Sequence, residues 1–334
     1  MVPVLRELGA EVQCIFSGRK PEDYFDMEVF GEDAIYIDSD GISHKNGSLD
    51  RLGTFFNLAG QFPKLMRSVS NLDLWDVDLV ISDMEPICAQ AARKRGVLCL
   101  ELSRHVSRDL ELAAEQPMGW LDRLTINSMV PSDFQLGLHW NSFGHMNLIP
   151  PLLKLNVPEP PETDPDQVLV YLNFERIDDV EDVLRPHAAD KRFIVYSPEI
   201  REHAQHDGIL FKPPSRDGFI ADMAASSGLI SNAGFNATSE ALQLGKDVLV
   251  KPLGGHVEQT SNMQVLEHLN LGAGMRELDS RAIGAWLDRQ GEFSKIRFPD
   301  DTVEQVAAWV MRGNWEHYTD LSDTLWAGTS FETS

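Results

Sequence analysis

Apolar residues along this chain gather in short runs that alternate with stretches of helical period. In the first half, Glu11–Phe16, Asp33–Asp38, Asp78–Ser82 and Val97–Leu102 read as strands. A long amphipathic stretch from Leu49 to Leu72 and the segment "PICAQAARKRG" read as helical. Short β-rich runs separated by helices predict a parallel sheet covered on both faces. From Pro150 to Pro165 the pattern breaks: "PPLLKLNVPEPPETDP" holds six prolines and little periodicity, which makes a stiff connection rather than core. The alternation then restarts with "QVLVYL", "RFIVYS", "GILF", "GLIS" and "DVLVKP".

The pattern therefore predicts a first α/β domain over 1–150, a linker over 151–165, and a second α/β domain over 166–300. The last part, 301–334, is amphipathic, carries Trp309, Trp315 and Trp326, and fits either back-packing on the first domain or ordinary core packing. A length of 334 residues suits two domains of about 150 each. The opening "MVPVLRELGAEVQCIF" reads as a helix followed by a strand, so the chain begins inside a βαβ unit. The first strand of a doubly wound sheet is central, which leads us to expect natural residues upstream of Met1.

Charge narrows the function. A formal net charge of -23 repels phosphate backbones, so nucleic acid is not an expected partner. A small phosphorylated ligand remains compatible, because backbone N–H groups can hold an anion inside an acidic protein. No signal peptide opens the chain, and no apolar run reaches the roughly 18 residues of a membrane span. Cys14, Cys88 and Cys99 lack metal spacing and read as reduced thiols in a cytoplasmic protein.

Candidate chemistry concentrates in "ISNAGFNATSEALQLGKDVLVKP", from Ile230 to Pro252. A buried strand ends at a turn of Asn232, Ala233 and Gly234, and a helix begins near Phe235 or Asn236. The first turn of that helix offers N–H groups and about half a positive charge, which suits a diphosphate. Glu240 follows Asn236 by four residues, the spacing that keeps both on one helix face. There its carboxylate can accept hydrogen bonds from two vicinal hydroxyls. The next strand leads into "KPLGGHVEQTSN", read as a loop that brings Glu258, Gln259 and Asn262 to the same rim.

These residues resemble the donor-site signature of GT-B glycosyltransferases that use UDP-sugars, of the family 28 type and the bacterial UDP-glucuronosyltransferase-like type. In those proteins His-Gly-Gly-x-Asn-x-x-x-Glu is followed by Asp-Gln-x-x-Asn. Here Asn232 stands in the place of the His and Ala233 in that of the first Gly, while Gly234, Asn236 and Glu240 match. Glu258-Gln259-x-x-Asn262 replaces the second element with a conservative acid. The resemblance implies a GT-B fold, two Rossmann-like domains facing a central cleft, and an inverting transfer from a nucleotide-sugar to an acceptor hydroxyl. By resemblance, Gly234, Phe235 and Asn236 line the diphosphate, Glu240 holds the ribose, and Glu258 and Gln259 hold the sugar. The neutral amide of Asn232 cannot donate as a protonated His does.

Looser carry-over places Asn173 near a phosphate, and Ser215 and Arg216 near the base. Inverting relatives use a His in a Gly-rich loop after the first strand, which this sequence lacks, and some orient it with an Asp whose place Asp83 takes. His105 follows another strand, where a surface reading competes with a catalytic one. Asp38–Asp40 matches an Asp-x-Asp metal motif but reads as a polar loop, and "NLGAGM" follows a helix rather than opening one. No metal and no cofactor beyond the nucleotide-sugar co-substrate is expected. The acceptor, whether glycan, lipid or small molecule, stays open, and a lipid acceptor would bring peripheral membrane contact. A sugar-nucleotide 2-epimerase of the same architecture and a truncated, non-catalytic sugar-nucleotide binder are the alternatives.

Overall fold

In the computed structural model the described residues are 1–18, 27–37, 44–45, 48–49, 63–107, 128–155 and 161–333. Asp38–Asp40 lies outside them, as does the side chain of His105. The chain divides into two units: Met1–Ser43, Asp50–Leu152 and Asp300–Gly328 form the first, and His44–Leu49, Leu153–Pro299 and Thr329–Ser334 form the second.

Unit 1 opens with helix α1 (Val2–Glu7), followed by the parallel pair β1 (Ile15–Ser17) and β2 (Ile35–Ile37). A hairpin of β3 (His44–Lys45) and β4 (Ser48–Leu49) belongs to the second unit, and helix α2 spans 63–71. Four parallel strands then lie in sequence order: β5 (Leu79–Ser82), β6 (Leu98–Ser103), β7 (Phe134–Leu138) and β8 (Leu148–Ile149). Helix α3 (Pro86–Arg95) connects β5 to β6. It starts where the Glu85 carboxylate accepts the N–H groups of Ile87 and Cys88, and stops at Gly96, whose φ of 70° is the left-handed C-cap geometry. A short helix α4 (Arg104–Ser107) follows β6.

Strand alternation divides the faces of β6. Leu100 and Leu102 join a core with Val4, Leu5, Leu136 and Ile149. Two late helices, α10 (Thr302–Met311) and α11 (Thr319–Ala327), complete that core with Val303, Val306, Trp309 and Leu325. On the other face Cys99 packs with Val80, Ile87, Cys88 and Ala91. All three cysteines are free and buried.

Unit 2 holds one seven-stranded sheet in the order β11-β12-β10-β9-β13-β14-β15. Its strands are β9 (Asp164–Tyr171), β10 (Arg192–Tyr196), β11 (Ala204–His206), β12 (Ile209–Lys212), β13 (Ser226–Ser231), β14 (Asp247–Val250) and β15 (Ala273–Gly274). All pairings are parallel except that of the edge strand β11. Counted along the chain without β11, the parallel strands run third, second, first, fourth, fifth, sixth. This is the doubly wound nucleotide-binding order, and its reversal falls between β9 and β13. Ligands in such sheets bind beyond the carboxyl ends of those two strands. The covering helices are α5 (Ile177–Leu184), α6 (Arg216–Ala225), α7 (Phe235–Gln243), α8 (Val257–His268) and α9 (Ser280–Leu287). Val168, Val170, Phe193, Val195, Ile230 and Trp286 lie in its main core.

Two glycines of "NLGAGM" serve packing. A Cβ at Gly272 would stand 2.6 Å from the Val248 carbonyl oxygen, and one at Gly274 2.3 Å from Met263 Cγ. The segment expected as a loop after β14 differs: from Val257 onward it is helix α8, opened by His256, whose Nδ1 accepts the N–H of Gln259. Among the described residues, no helix is long and apolar enough to cross a membrane.

Candidate functional site

The strand-order reversal places two chain segments side by side, Leu172–Glu175 after β9 and Asn232–Gly234 after β13. Ala233 turns the chain with φ of 53°, a left-handed conformation that costs a residue with a Cβ about 1–2 kcal/mol. It is buried, and its carbonyl oxygen accepts a 2.9 Å hydrogen bond from Asn262 Nδ2 on α8. Asn262 is itself fully buried, so this expected site residue works as a tether between α8 and the Asn232–Gly234 turn. Gln259 has a similar part: its Oε1 accepts the Leu253 N–H at 2.7 Å and shapes the entry to α8. Glu258 is half-buried on the first turn of that helix.

Helix α7 follows immediately, with Gly234 at the N-cap and no side-chain cap on its amino terminus. A Cβ at Gly234 would meet nothing within 4 Å, so the space above this turn is open. Phe235 is buried and anchors the helix start in the core, while Asn236 is exposed. Glu240, one turn further, is only 6% exposed. It is buried because Arg216 clamps it: Nη2 lies 2.5 Å from Oε1 and Nη1 lies 3.1 Å from Oε2. Arg216 begins α6, whose N-cap is Ser215, with Oγ accepting the Gly218 N–H at 3.1 Å. Two buried polar atoms beside the reversal, Asn173 Oδ1 and Ser231 Oγ, have no hydrogen-bond partner among the described residues. Buried polar atoms are rarely left so.

Asn232 ties the same rim together. Its Oδ1 accepts the Phe174 N–H at 3.4 Å, and its Nδ2 donates to the Lys251 carbonyl at 3.3 Å and to Glu175 Oε1 at 3.5 Å. Lys251 Nζ donates to that same Glu175 oxygen at 2.6 Å. Lys251 and Glu175 were missed by sequence reasoning. The signals were a lysine closing the apolar strand "DVLVKP" and a glutamate three residues beyond "VYL", each at a strand's carboxyl end.

In unit 1, Asp83 is exposed just after β5. A second carboxyl, not anticipated, lies close by: Glu101 of β6 is opposite Ser82 in the ladder, is 3% exposed, and accepts the Met84 N–H at 2.9 Å through Oε1. Among the described residues its buried Oε2 has no hydrogen-bond partner. Burial pushes this carboxyl above its ordinary range, opposed in part by the Ser82 and Ser103 hydroxyls and the Met84 N–H. The folded chain thus binds this proton more tightly than the unfolded chain does. The resulting stability is complete below the unfolded-state value and is lost as pH rises through the folded one. Glu101→Gln, which is neutral throughout, should therefore gain melting temperature relative to the unsubstituted protein as pH rises from the ordinary carboxylate range through the raised range of the folded carboxyl. A constant difference across that range would remove Glu101 as a buried titrating group.

Among the described residues, no group of three or more His, Cys, Asp or Glu is placed to hold a metal ion. The arrangement in unit 2 offers N–H donors for an anion, and a carboxylate for hydroxyls one helical turn away.

The model of a protein family described as glycosyl transferase family 1 matches residues 5–290. No curated protein matches the chain. Among solved structures, UGT89C1 of Arabidopsis thaliana complexed with UDP is 12% identical, with a TM-score of 0.56, 97% of this chain covered and 94% of that one. SnogD, a glycosyltransferase of Streptomyces nogalater, is 18% identical with a TM-score of 0.53, covering 98% and 93%. The spinosyn forosaminyltransferase SpnP is 14% identical with a TM-score of 0.56, covering 98% and 93%. These likenesses show the GT-B fold of two Rossmann-like domains.

Proposed function

We propose, for a chain that belongs to glycosyl transferase family 1, that unit 2 binds a UDP-sugar and that the sugar passes to an acceptor hydroxyl with inversion. The observation that carries this reading is the uncapped amino terminus of α7 at the strand-order reversal, with open space above Gly234. The diphosphate lies on the first-turn N–H groups of α7. Glu240 reaches the ribose hydroxyls, and Glu258 stands toward the sugar. UGT89C1, which shares the fold, has been solved with UDP and with UDP-L-rhamnose, which supports UDP as the nucleotide.

Transfer needs the acceptor oxygen to attack the anomeric carbon as the bond to the diphosphate breaks. Negative charge grows on the departing oxygen, and N–H dipoles already aimed there stabilise it without reorganising. Each hydrogen bond to that charged group contributes about 1.5–3 kcal/mol, so the step does not call for a metal. Unit 1 holds the acceptor, with Asp83 at the end of β5 as the group that orients or receives its proton. UGT89C1 has also been solved with quercetin, which supports a small hydroxylated acceptor.

Isothermal titration should show UDP binding well below about 1 mM, with ADP and GDP weaker. No heat from UDP at millimolar concentration would sink the donor assignment. A product whose anomeric configuration by NMR matches that of the donor would sink inversion.

A further inference from the structure

The ion pair between Lys251 and Glu175 has no part in the reaction as described, yet it lies at the centre of the same rim. Lys251 is 7% exposed, and among the described residues its ammonium has one hydrogen-bond partner, Glu175 Oε1 at 2.6 Å. An ammonium carries three N–H donors, so this buried group keeps unused donor capacity. Burying two opposite charges gives little net stability, because the desolvation of each offsets most of their attraction. The fold alone therefore gives little reason to keep this pair where three strand ends meet.

Its position supplies a reason. Glu175 Oε1 is shared by Lys251 Nζ and Asn232 Nδ2, and Asn232 is separated from the uncapped α7 terminus only by Ala233 and Gly234. An anion seated on that terminus lies within three residues of Asn232, whose amide is bonded to the Glu175 carboxylate. Asn232 by itself brings no charge to an anion.

We propose that Lys251 is the cation of the diphosphate subsite, and that Glu175 is the internal anion that occupies its ammonium until the donor arrives. This rests on the UDP-sugar reading above. On donor binding the ammonium exchanges a carboxylate oxygen for a phosphate oxygen, so the buried charge is matched in both states. Glu175 also works against the incoming phosphate, which makes it a brake on donor affinity, while Lys251 is a specificity residue for the diphosphate.

The two residues should then act in opposite directions, and only on ligands that carry phosphate. Titration of UDP, inorganic pyrophosphate and uridine reads this directly. Lys251→Met should weaken UDP and pyrophosphate by roughly 10- to 100-fold, the range for a lost charged hydrogen bond, and leave uridine unchanged. Glu175→Gln should tighten both phosphate ligands by about tenfold, again without effect on uridine. Lys251→Arg should keep most of the affinity. Removing one member of a buried pair can unfold a protein, so the double variant Lys251→Met with Glu175→Gln, which leaves neither charge, repeats the comparison in a neutral site. It should lose UDP and pyrophosphate relative to Glu175→Gln alone.

UDP binding that ignores both Lys251 substitutions overturns the proposal and leaves the donor reading standing. Equal losses for UDP and uridine overturn it as well, since they would mark a general disturbance of the site. Binding of pyrophosphate through Lys251 with no added affinity from uridine supports the anion subsite while overturning the UDP assignment.

Discussion

Glu240→Ala is expected to weaken UDP binding by roughly 10- to 100-fold and to leave the fold intact. The magnitude follows from the loss of hydrogen bonds between a carboxylate and ribose hydroxyls, at about 1.5–3 kcal/mol for a charged hydrogen bond. In the free protein both carboxylate oxygens of Glu240 are taken by Arg216. Each oxygen keeps further lone-pair capacity, so the guanidinium can stay while the ribose hydroxyls are added, holding the carboxylate in one orientation. Truncation leaves Arg216 without this partner, but the Arg216 side chain is 47% exposed and water can solvate it. Thermal melting should therefore move little. The discriminating measurement uses 2′,3′-dideoxy-UDP. If Glu240 serves the ribose, the substitution should matter far less for this ligand than for UDP. An equal loss for both would place Glu240 in a structural role only.

Trp286→Ala is expected to cost unit 2 about 3–5 kcal/mol, the range for truncating a buried large aromatic residue. Trp286 is 1% exposed on α9, and β13 is shaped to receive it. A Cβ at Gly228 would lie 2.7 Å from the indole ring, so only glycine permits this contact. The indole Nε1 is buried without a partner among the described residues, and its removal therefore sacrifices no hydrogen bond with them. For that reason Trp286→Phe should recover most of the loss, because it returns ring volume without the orphaned N–H. Denaturant melts of the three forms check this, and a cost below about 1 kcal/mol for the alanine form would contradict a tight α9–β13 contact. The effect would reach the donor site as well, since β13 ends at Ser231 and leads straight into the Asn232 turn.

Much of unit 2 was legible in its pattern because its inner strands are buried on both faces and read as continuous apolar runs. The edge strand β11, Ala204–His206, escaped notice for the opposite reason: it is polar and largely solvent-facing. In unit 1, β7 and β8 were missed because Phe134–Leu138 is interrupted by Gly137 and Leu148–Ile149 has only two residues. Helix α8 was read as loop because Glu258 to Asn262 is rich in polar residues with middling helix propensity. The buried side chains of Gln259 and Asn262 are bonded to backbone around them, and those tertiary bonds override the local preference.

The candidate site divides along similar lines. Gly234 and Glu240 could be found because a turn and a four-residue helical spacing are local. The Glu175–Lys251 pair joins residues 76 positions apart, and no periodicity announces a contact of that range. The Arg216–Glu240 clamp spans 24 residues and was equally silent, although both members had been named separately.

The return of α10 and α11 to the core around Leu100 and Leu136 bears on synthesis. The main segment of unit 2, Leu153–Pro299, is written between two parts of unit 1, and its main core, from Val168 to Phe293, is complete on the ribosome before Thr302 has been added. Domains emerging from synthesis fold as units when their segments become available. The donor-binding half can therefore fold first, while Leu5, Leu100 and Leu136 wait for partners that are translated after it. A chaperone that holds apolar surface would find its work in the amino-terminal half of the nascent chain.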